Sequence, residues 1–207
     1  MAEILKIHPV DPQPRLLKRA AEALRSGALI VYPTDSSYAL GCHIGDKAAL
    51  DRIRRIRQRE RDRDFTLVCR DLSEIGVYAR VEDWAYRLLR SLTPGPYTFV
   101  LQASREVPRR LQDPKRRSIG IRVPDNRVAR AILEELGEPI MSSTLLLPGD
   151  ELPLADPDDV EERVQHQVDM ILNGGPCGVE PTTILDLSKG QVEIVRRGKG
   201  DISTLTD

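Results

Sequence analysis

Residues 28–41 read Ala-Leu-Ile-Val-Tyr-Pro-Thr-Asp-Ser-Ser-Tyr-Ala-Leu-Gly, and this stretch combines a strand pattern with a group of small hydroxyl residues. Its first five residues, 28–32, form a short continuous apolar run, which is typical of a strand buried on both faces. Small hydroxyl residues follow, and strand ends in α/β sheets are where ligands bind. Hydroxyl groups and turn amides suit carboxylate or phosphate oxygens. The stretch therefore predicts a ligand site, with the alternative that Thr34, Asp35 and Ser36 only satisfy the backbone of a turn.

Helix and strand patterns alternate along the rest of the chain, with short connections and no internal repeat. Apolar stripes predict helices over residues 12–26, 46–58, 81–92, 126–136 and 157–165, with a helical turn at 108–111. Short apolar runs predict strands over residues 28–32, 65–69, 97–101, 118–123, 139–143, 168–172, 182–187 and 192–196. Asp46 is the predicted N-cap of the second helix, and Gly27 and Gly137 are predicted to end the helices before them. We therefore expect a single α/β domain over residues 1–207, with a twisted, open, mixed sheet flanked by helices.

Length and composition exclude several classes of protein. The 207 residues are 40% hydrophobic and only 4% aromatic, which predicts one soluble globular domain with an aliphatic core. Cys42, Cys69 and Cys177 have neither CxxC nor zinc spacing, so we expect no disulfide framework and no structural metal. No apolar run approaches the ~20 residues of a membrane span, and the N-terminus is not a signal peptide. We therefore expect a cytoplasmic protein that does not bind membranes.

Charge is balanced overall but separated locally. The chain has 31 Lys and Arg against 32 Asp and Glu, a net charge of −1. Seven arginines lie within residues 51–64, eight basic residues lie within 105–127, and seven acids with no base lie within 150–162. Such tracts predict a charged cleft that binds an anion. The alternative is that each tract is a solvated helix face.

The common catalytic motifs are absent from the sequence. There is no GxxxxGK[ST] loop, no GxGxxG after a strand, no GxSxG and no HExxH. The three histidines, His8, His43 and His166, are scattered, which argues against a histidine metal centre or a histidine-based triad. Acid–base and covalent catalysis therefore have little support.

Arginines are the strongest candidates for binding residues. Arg57, Arg59 and Arg63 lie where a helix gives way to an alternating segment before a strand, and such a segment can turn them inward. The planar guanidinium fork binds carboxylate and phosphate through two hydrogen bonds. Arg122 ends an apolar strand, which favours a site residue over a core residue, with an ion pair as the alternative.

Residues 30–41 resemble the opening signature of the YrdC-like family, whose members make threonylcarbamoyl-adenylate for tRNA modification. Four further motifs occur in the family's order: Thr-Pro-Gly-Pro-Tyr-Thr-Phe at 93–99, Ile-Gly-Ile-Arg-Val-Pro at 119–124, Pro-Thr-Thr-Ile-Leu-Asp at 181–186 and Val-Arg-Arg-Gly at 195–198. The match covers nearly the whole chain. Residues 7–9, 41–42 and 65–67 are most similar to the YciO branch of the family.

The resemblance implies a twisted open sheet whose positively charged concave face binds ATP and structured RNA (tRNA or double-stranded RNA). It implies a reaction that joins L-threonine, bicarbonate and ATP and releases pyrophosphate, with Mg²⁺ carried by the nucleotide. By motif, the residues that would contact ATP are Arg57, Arg59, Ser142, Thr144 and Arg196. Those that would contact threonine are Thr34, Ser36, Arg63, Arg122 and Thr182. Arg57, Arg59 and Arg122 would be the catalytic residues, because the threonine amine is itself a nucleophile and positively charged groups would stabilise the developing negative charge.

The sequence departs from the family pattern at two places. Arg57 stands where the family has a lysine, which keeps the charge but changes the geometry of the contact. The family's Ser-x-Asn reads Thr144-Leu145-Leu146, and a leucine cannot donate a hydrogen bond to a nucleotide. A lost donor to a charged group costs about 1.5–3 kcal/mol, or one to two decades of affinity.

Two other functions fit the same residues. An RNA-binding module without this chemistry would use the basic tracts at 52–63 and 105–127 to contact phosphates, so its binding would weaken steeply with salt. A regulatory protein that binds a small anion would use only the arginine-rich site. Stabilisation by ATP would favour the enzyme over the RNA-binding module.

Overall fold

The computed structural model describes residues 1–58 and 65–205, and in this part of the chain six helices and eleven strands alternate. The helices are α1 (Pro14–Arg25), α2 (Lys47–Arg57), α3 (Leu72–Tyr78), α4 (Asp83–Leu92), α5 (Arg127–Leu136) and α6 (Pro157–Val164). The strands are β1 (Glu3–Lys6), β2 (Ile30–Pro33), β3 (Tyr38–His43), β4 (Thr66–Val68), β5 (Ala79–Arg80), β6 (Tyr97–Ala103), β7 (Ser118–Arg122), β8 (Ile140–Thr144), β9 (Met170–Asn173), β10 (Thr183–Asp186) and β11 (Glu193–Arg196). Short 3-10 helices occur at Arg109–Leu111 and Ser203–Leu205.

The strands form one mixed sheet. Their order is β1-β9-β2-β3-β8-β4-β7-β6-β10-β11, and β5 pairs with β6. The pairs β1·β9, β2·β9, β4·β7 and β6·β10 are parallel, and the other pairs are antiparallel. The sheet is open, with β1 at one edge and β11 at the other. The α/β class with a mixed sheet flanked by helices, predicted from the sequence, is therefore confirmed.

The two faces of the sheet are covered unequally. Alternate strand residues such as Leu67, Phe99 and Ile121 point to one face and pack in one core with residues of α2, α3, α4 and α6. The opposite residues of β2, β8 and β9, such as Ile30 and Ile140, pack with α1 and α5 in a second core. On that second face, residues of β4, β7, β6 and β10 line a cavity instead. Partial cover of this face therefore creates the concave site.

Local signals explain the helix ends. The Asp46 side chain caps α2 by accepting a hydrogen bond from the Ala49 N–H at 2.9 Å, as its N-cap position predicts. The Asn126 side chain caps α5 in the same way, and Gly137 ends that helix in the left-handed region with φ 71°. Gly27, with φ 88°, follows the end of α1. None of the described helices is long and apolar enough to span a membrane.

Four elements were not predicted from the sequence: β1, β3, α3 and β5. The β3 strand is the most important of these, because it turns the quoted stretch into a β2–β3 hairpin whose four-residue turn, 34–37, carries the hydroxyl groups. Five of its six residues are buried, so it lacks the polar–apolar alternation that identifies a half-exposed strand. The elements that were predicted are present, with bounds that differ from the prediction by at most two residues.

Candidate functional site

A cavity of about 670 Å³ lies on the partly covered face of the sheet. Strand register arranges its floor in rows. One row contains Val68, Arg122, Thr98, Ile184 and Arg196 on successive strands. The neighbouring row contains Ser142, Thr66, Gly120, Val100 and Asp186. Residues two apart on a strand are separated by about 7 Å, so the rows place positive charges and hydroxyl groups within reach of one small ligand.

The turn between β2 and β3 forms one wall of the cavity. Thr34 Oγ1 donates to the Ser37 carbonyl at 2.7 Å and accepts from the N–H groups of Ser36 and Ser37 at 3.2 Å. It also lies 3.1 Å from Ser36 Oγ. Thr34 therefore does satisfy the turn backbone, which was the alternative reading, and both Thr34 and Ser36 also line the cavity.

Arg122 is buried at the end of β7 and forms an ion pair with Asp35. The two side chains are only 9% and 7% exposed. Asp35 also accepts from the Asp125 N–H at 2.9 Å, and Arg122 Nη1 donates to Ser36 Oγ at 3.3 Å. The buried Nε–H of Arg122 has no hydrogen-bond partner within the described ranges. The ion-pair alternative is therefore confirmed, and the same guanidinium lines the cavity with a donor to spare.

Arg57 reaches the cavity from the last turn of α2. The helix ends at Gln58, whose φ of 49° lies in the left-handed region. The Arg57 side chain is buried (8% exposed) and donates to Ser143 Oγ on β8. Arg59 and Arg63, predicted to contact ATP and threonine, lie outside the described residues. Only Arg57 of the predicted trio is therefore placed in the cavity.

Other arginines of this tract behave as a solvated face. Arg52 pairs with Asp169 at 2.5 Å, and Arg54 pairs with Asp51 at 2.7 Å. These pairs are partly exposed, and they bear out the alternative reading for this part of the tract.

Thr182, just before β10, and Arg196, at the end of β11, also line the cavity. Arg196 donates to the Thr182 carbonyl from Nε and Nη2, at 3.1 and 2.9 Å, and to Thr182 Oγ1 at 3.2 Å. Thr182 Oγ1 lies 2.9 Å from Thr98 Oγ1 on β6. Partial burial lowers the pKa of Arg196 from its usual value, although a guanidinium remains charged at neutral pH. Thr182 and Arg196, both predicted from the sequence, therefore lie together.

Two further predicted residues lie on β8. Ser142 Oγ accepts from the Tyr32 hydroxyl at 2.8 Å and donates to the Leu40 carbonyl at 3.1 Å. Complete burial raises the pKa of Tyr32 to about 12, so this tyrosine is neutral. Thr144 lies exposed on the cavity wall, and half-buried Leu146 follows it.

Sequence reasoning missed the residues that hold these groups in place. Asp35 fixes Arg122, and Lys199 Nζ donates to the Asp35 carbonyl at 2.5 Å from the C-terminal segment. Asp186 lines the cavity, accepts from the Ser188 N–H and Oγ at 2.9 and 2.6 Å, and lies 3.4 Å from Arg116. An acid inside a hydroxyl-rich turn needs a partner, so the sequence did indicate that Asp35 forms an ion pair or hydrogen bond. The sequence did not show that the partner is Arg122, because the two residues are 87 positions apart.

The cavity is suited to binding oxyanions. Four arginines (Arg57, Arg116, Arg122 and Arg196) line it with hydroxyl groups from several strands, against three acids (Asp113, Glu151 and Asp186). No histidine, cysteine or lysine of the described residues is on its wall. Nor do residues 1–58 and 65–205 hold a cluster of three or more metal-ligating side chains. These groups can position a ligand and stabilise negative charge.

Comparisons with known proteins identify the family of the chain. Residues 22–198 match the Sua5/YciO/YrdC family model, which is described as "Telomere recombination". The YciO protein of Escherichia coli K12 is 51% identical over 202 residues, covering 98% of both chains, and its crystal structure superimposes with a TM-score of 0.94.

More distant relatives have named activities. A threonylcarbamoyl-AMP synthase of Chromobacterium violaceum is 32% identical over 188 residues, covering 89% of this chain and 95% of that protein. The crystal structure of P. abyssi Sua5 complexed with L-threonine shows 25% sequence identity and a TM-score of 0.86, and the match covers 94% of this chain and 57% of that one. The chain therefore belongs to the Sua5/YciO/YrdC family.

Proposed function

We propose that this protein is a nucleotidyltransferase of the threonylcarbamoyl-AMP synthase type, which joins L-threonine, bicarbonate and ATP and releases pyrophosphate. The observation that carries the proposal is the convergence of buried Arg57 and Arg122 on one hydroxyl-lined cavity. The activity named for the Chromobacterium relative and the threonine complexed with P. abyssi Sua5 support it.

The reaction needs no protein nucleophile. The threonine amine attacks CO₂ derived from bicarbonate and loses a proton, which gives a carbamate. A carbamate oxygen then attacks the α-phosphorus of ATP, the bond to the β-phosphate oxygen breaks, and pyrophosphate leaves with its Mg²⁺. Each step adds or moves negative charge, which fixed guanidinium groups stabilise better than water does.

The residues divide between the two ends of the ligand. Arg122 and Ser36 would bind the carboxylate or carbamate, because the Nε–H of Arg122 is buried and needs an acceptor. Arg57 would bind the phosphates beside Ser142 and Thr144. Arg196, which donates to the Thr182 carbonyl, would contact the phosphate chain from the end of β11. By their positions in the family motif, Arg59 would also contact ATP and Arg63 would contact threonine.

Pyrophosphate release tests the proposal. Wild-type protein should release pyrophosphate only when ATP, threonine and bicarbonate are all present. Arg57→Met should lower the rate at least tenfold, because a lost hydrogen bond to a charged group costs about 1.5–3 kcal/mol. Arg55→Met is the matched control, since Arg55 lies exposed on the same helix and contacts the Asp51 carbonyl. Equal rates in all three proteins would reject the proposal.

Binding of structured RNA is a second candidate function. Six exposed basic residues lie between β6 and β7, next to the cavity: Arg105, Arg109, Arg110, Lys115, Arg116 and Arg117. They would contact phosphates, so affinity for double-stranded RNA should fall steeply with salt. Affinity that does not change across a salt titration would reject this function.

A further inference from the structure

Aliphatic side chains are unusually exposed along the wall of the cavity. Leu152 is 59% exposed, Val179 is 40% exposed and Val195 is 55% exposed, and all three line it. Half-buried Leu146 joins them. Such exposure costs free energy in water, and a group of apolar side chains at a polar cavity is typical of a surface that a ligand covers.

Three of these residues lie on neighbouring segments of the cavity wall, and we call them the aliphatic rim: Leu146, Leu152 and Val179. Backbone pairing holds it together. The Leu154 N–H donates to the Leu145 carbonyl at 2.9 Å, and the Cys177 N–H donates to the Ala155 carbonyl at 2.8 Å. The segments that carry the rim are therefore side by side.

The rim lies close to the cationic part of the cavity. Leu146 follows Ser143 by three residues, and Ser143 Oγ accepts from Arg57. A ligand that fills this region needs an anionic part for Arg57 and a large apolar part for the rim. A nucleoside phosphate has both, because the faces of every nucleobase are apolar and its phosphates are charged.

The rim offers little means of distinguishing one base from another. Apolar contacts are not directional, and all four bases present similar faces. Among the polar residues that line the cavity, those nearest the rim in sequence are Thr144 and Glu151, and both are exposed. A hydrogen bond that either makes to a base replaces one to water, so its net contribution is small.

We propose that the cavity accepts nucleoside triphosphates as a class, with the aliphatic rim holding the base and with little selection among adenine, guanine, cytosine and uracil. This inference rests on the proposed function, because it assigns the nucleotide to the same cavity. Sites that bind a base edge through buried hydrogen bonds reject the wrong partner by 10⁴–10⁵-fold, whereas apolar sites discriminate by about 10–200-fold.

Calorimetric titration with the Mg²⁺ complexes of ATP, GTP, CTP and UTP tests the inference. The two purine nucleotides should bind within about tenfold of each other, and the pyrimidine nucleotides within about 100-fold of them. Tripolyphosphate, which has no base, serves as the probe for the phosphate contacts alone and should bind more weakly than any of the four.

Variants separate the rim from the phosphate contacts. Leu152→Ala should weaken all four nucleotides by a similar factor, up to about tenfold, and leave tripolyphosphate unchanged. Leu146→Asn should favour one base over the others by giving the rim a polar group. Val77→Ala is the matched control, because Val77 is 51% exposed and does not line the cavity.

The outcomes distinguish the two proposals. Preference for ATP over GTP by more than 1000-fold would overturn the inference and leave the proposed function standing. Binding of no nucleotide would overturn both. If Leu152→Ala and Val77→Ala reduce nucleotide affinity equally, the rim does not hold the base.

Discussion

The ion pair between Asp35 and Arg122 gives the sharpest prediction about stability. Removal of one partner from a buried pair leaves an uncompensated charge, which costs about 3–5 kcal/mol. Both side chains are less than 10% exposed, and Asp35 also accepts a hydrogen bond from the Asp125 N–H. The decrease in the free energy of unfolding caused by Asp35→Ala should therefore lie in this range. For a chain of this length the loss corresponds to a decrease of about 6–20 °C in the melting temperature.

Asp51→Ala is the control for this measurement. Asp51 pairs with Arg54 at 2.7 Å, but the aspartate side chain is 43% exposed. An exposed pair contributes about 0–1 kcal/mol, so this variant should lose little stability. Urea unfolding monitored by circular dichroism measures the free energy of unfolding of both variants.

A double variant tests the cause of the loss. Asp35→Ala combined with Arg122→Met removes the unpaired charge and retains an apolar stem, so it should recover part of the stability lost by Asp35→Ala. If the free energies of unfolding of Asp35→Ala and Asp51→Ala differ by less than about 1 kcal/mol, or if the double variant is less stable than Asp35→Ala, an uncompensated buried charge is not the cause of the loss.

Three other predictions concern the core and the cavity floor. Burial raises the pKa of the Tyr32 hydroxyl to about 12, so the unfolded chain loses this proton at a lower pH than the folded chain does. The free energy of unfolding should therefore decrease by up to about 2.7 kcal/mol between pH 10 and 12. Tyr32→Phe should remove this part of the decrease, as measured by urea unfolding at each pH. A Cβ added at Gly120 would meet Thr66 and Thr98 at an ordinary 3.4 Å, so Gly120→Ala should change the free energy of unfolding by less than about 1 kcal/mol. The added methyl group would lie on the cavity floor and should therefore reduce ATP affinity in calorimetry; unchanged affinity would show that the ligand lies elsewhere. Burial raises the pKa of Cys42 to about 12 and that of Cys177 to about 11. The thiols of the folded protein should therefore react slowly with Ellman's reagent at pH 8, and those of the chain unfolded in denaturant should react rapidly. Rapid reaction of the folded protein would contradict this prediction.

The sequence predicted the elements that have local signals. The helix α5 begins at an Asn126 cap and ends at Gly137, and both signals lie next to the apolar stripe that they bound. The strand β3 and the helix α3 were missed, because β3 is buried almost throughout and α3 has only seven residues. The periodicity of apolar residues and the length of an apolar segment are the local signals for strands and helices, and neither identifies elements of this kind.

The candidate site was predictable residue by residue, but its arrangement was not. Motifs pointed to Thr34, Arg57 and Arg122 without showing which atoms meet. The contacts of Arg122 with Asp35 and of Arg57 with Ser143 span 87 and 86 residues, so they depend on the order of strands in the sheet. The aliphatic rim was equally hidden, because exposure of an apolar side chain is a property of the folded chain.

We propose that the buried guanidinium of Arg57 binds the phosphates of the ligand. Calorimetric titration of pyrophosphate into the wild type, Arg57→Met and Arg55→Met tests this claim without relying on turnover. We predict that Arg57→Met weakens pyrophosphate binding at least tenfold and that Arg55→Met leaves it unchanged. Equal affinity of all three proteins for pyrophosphate would contradict the claim.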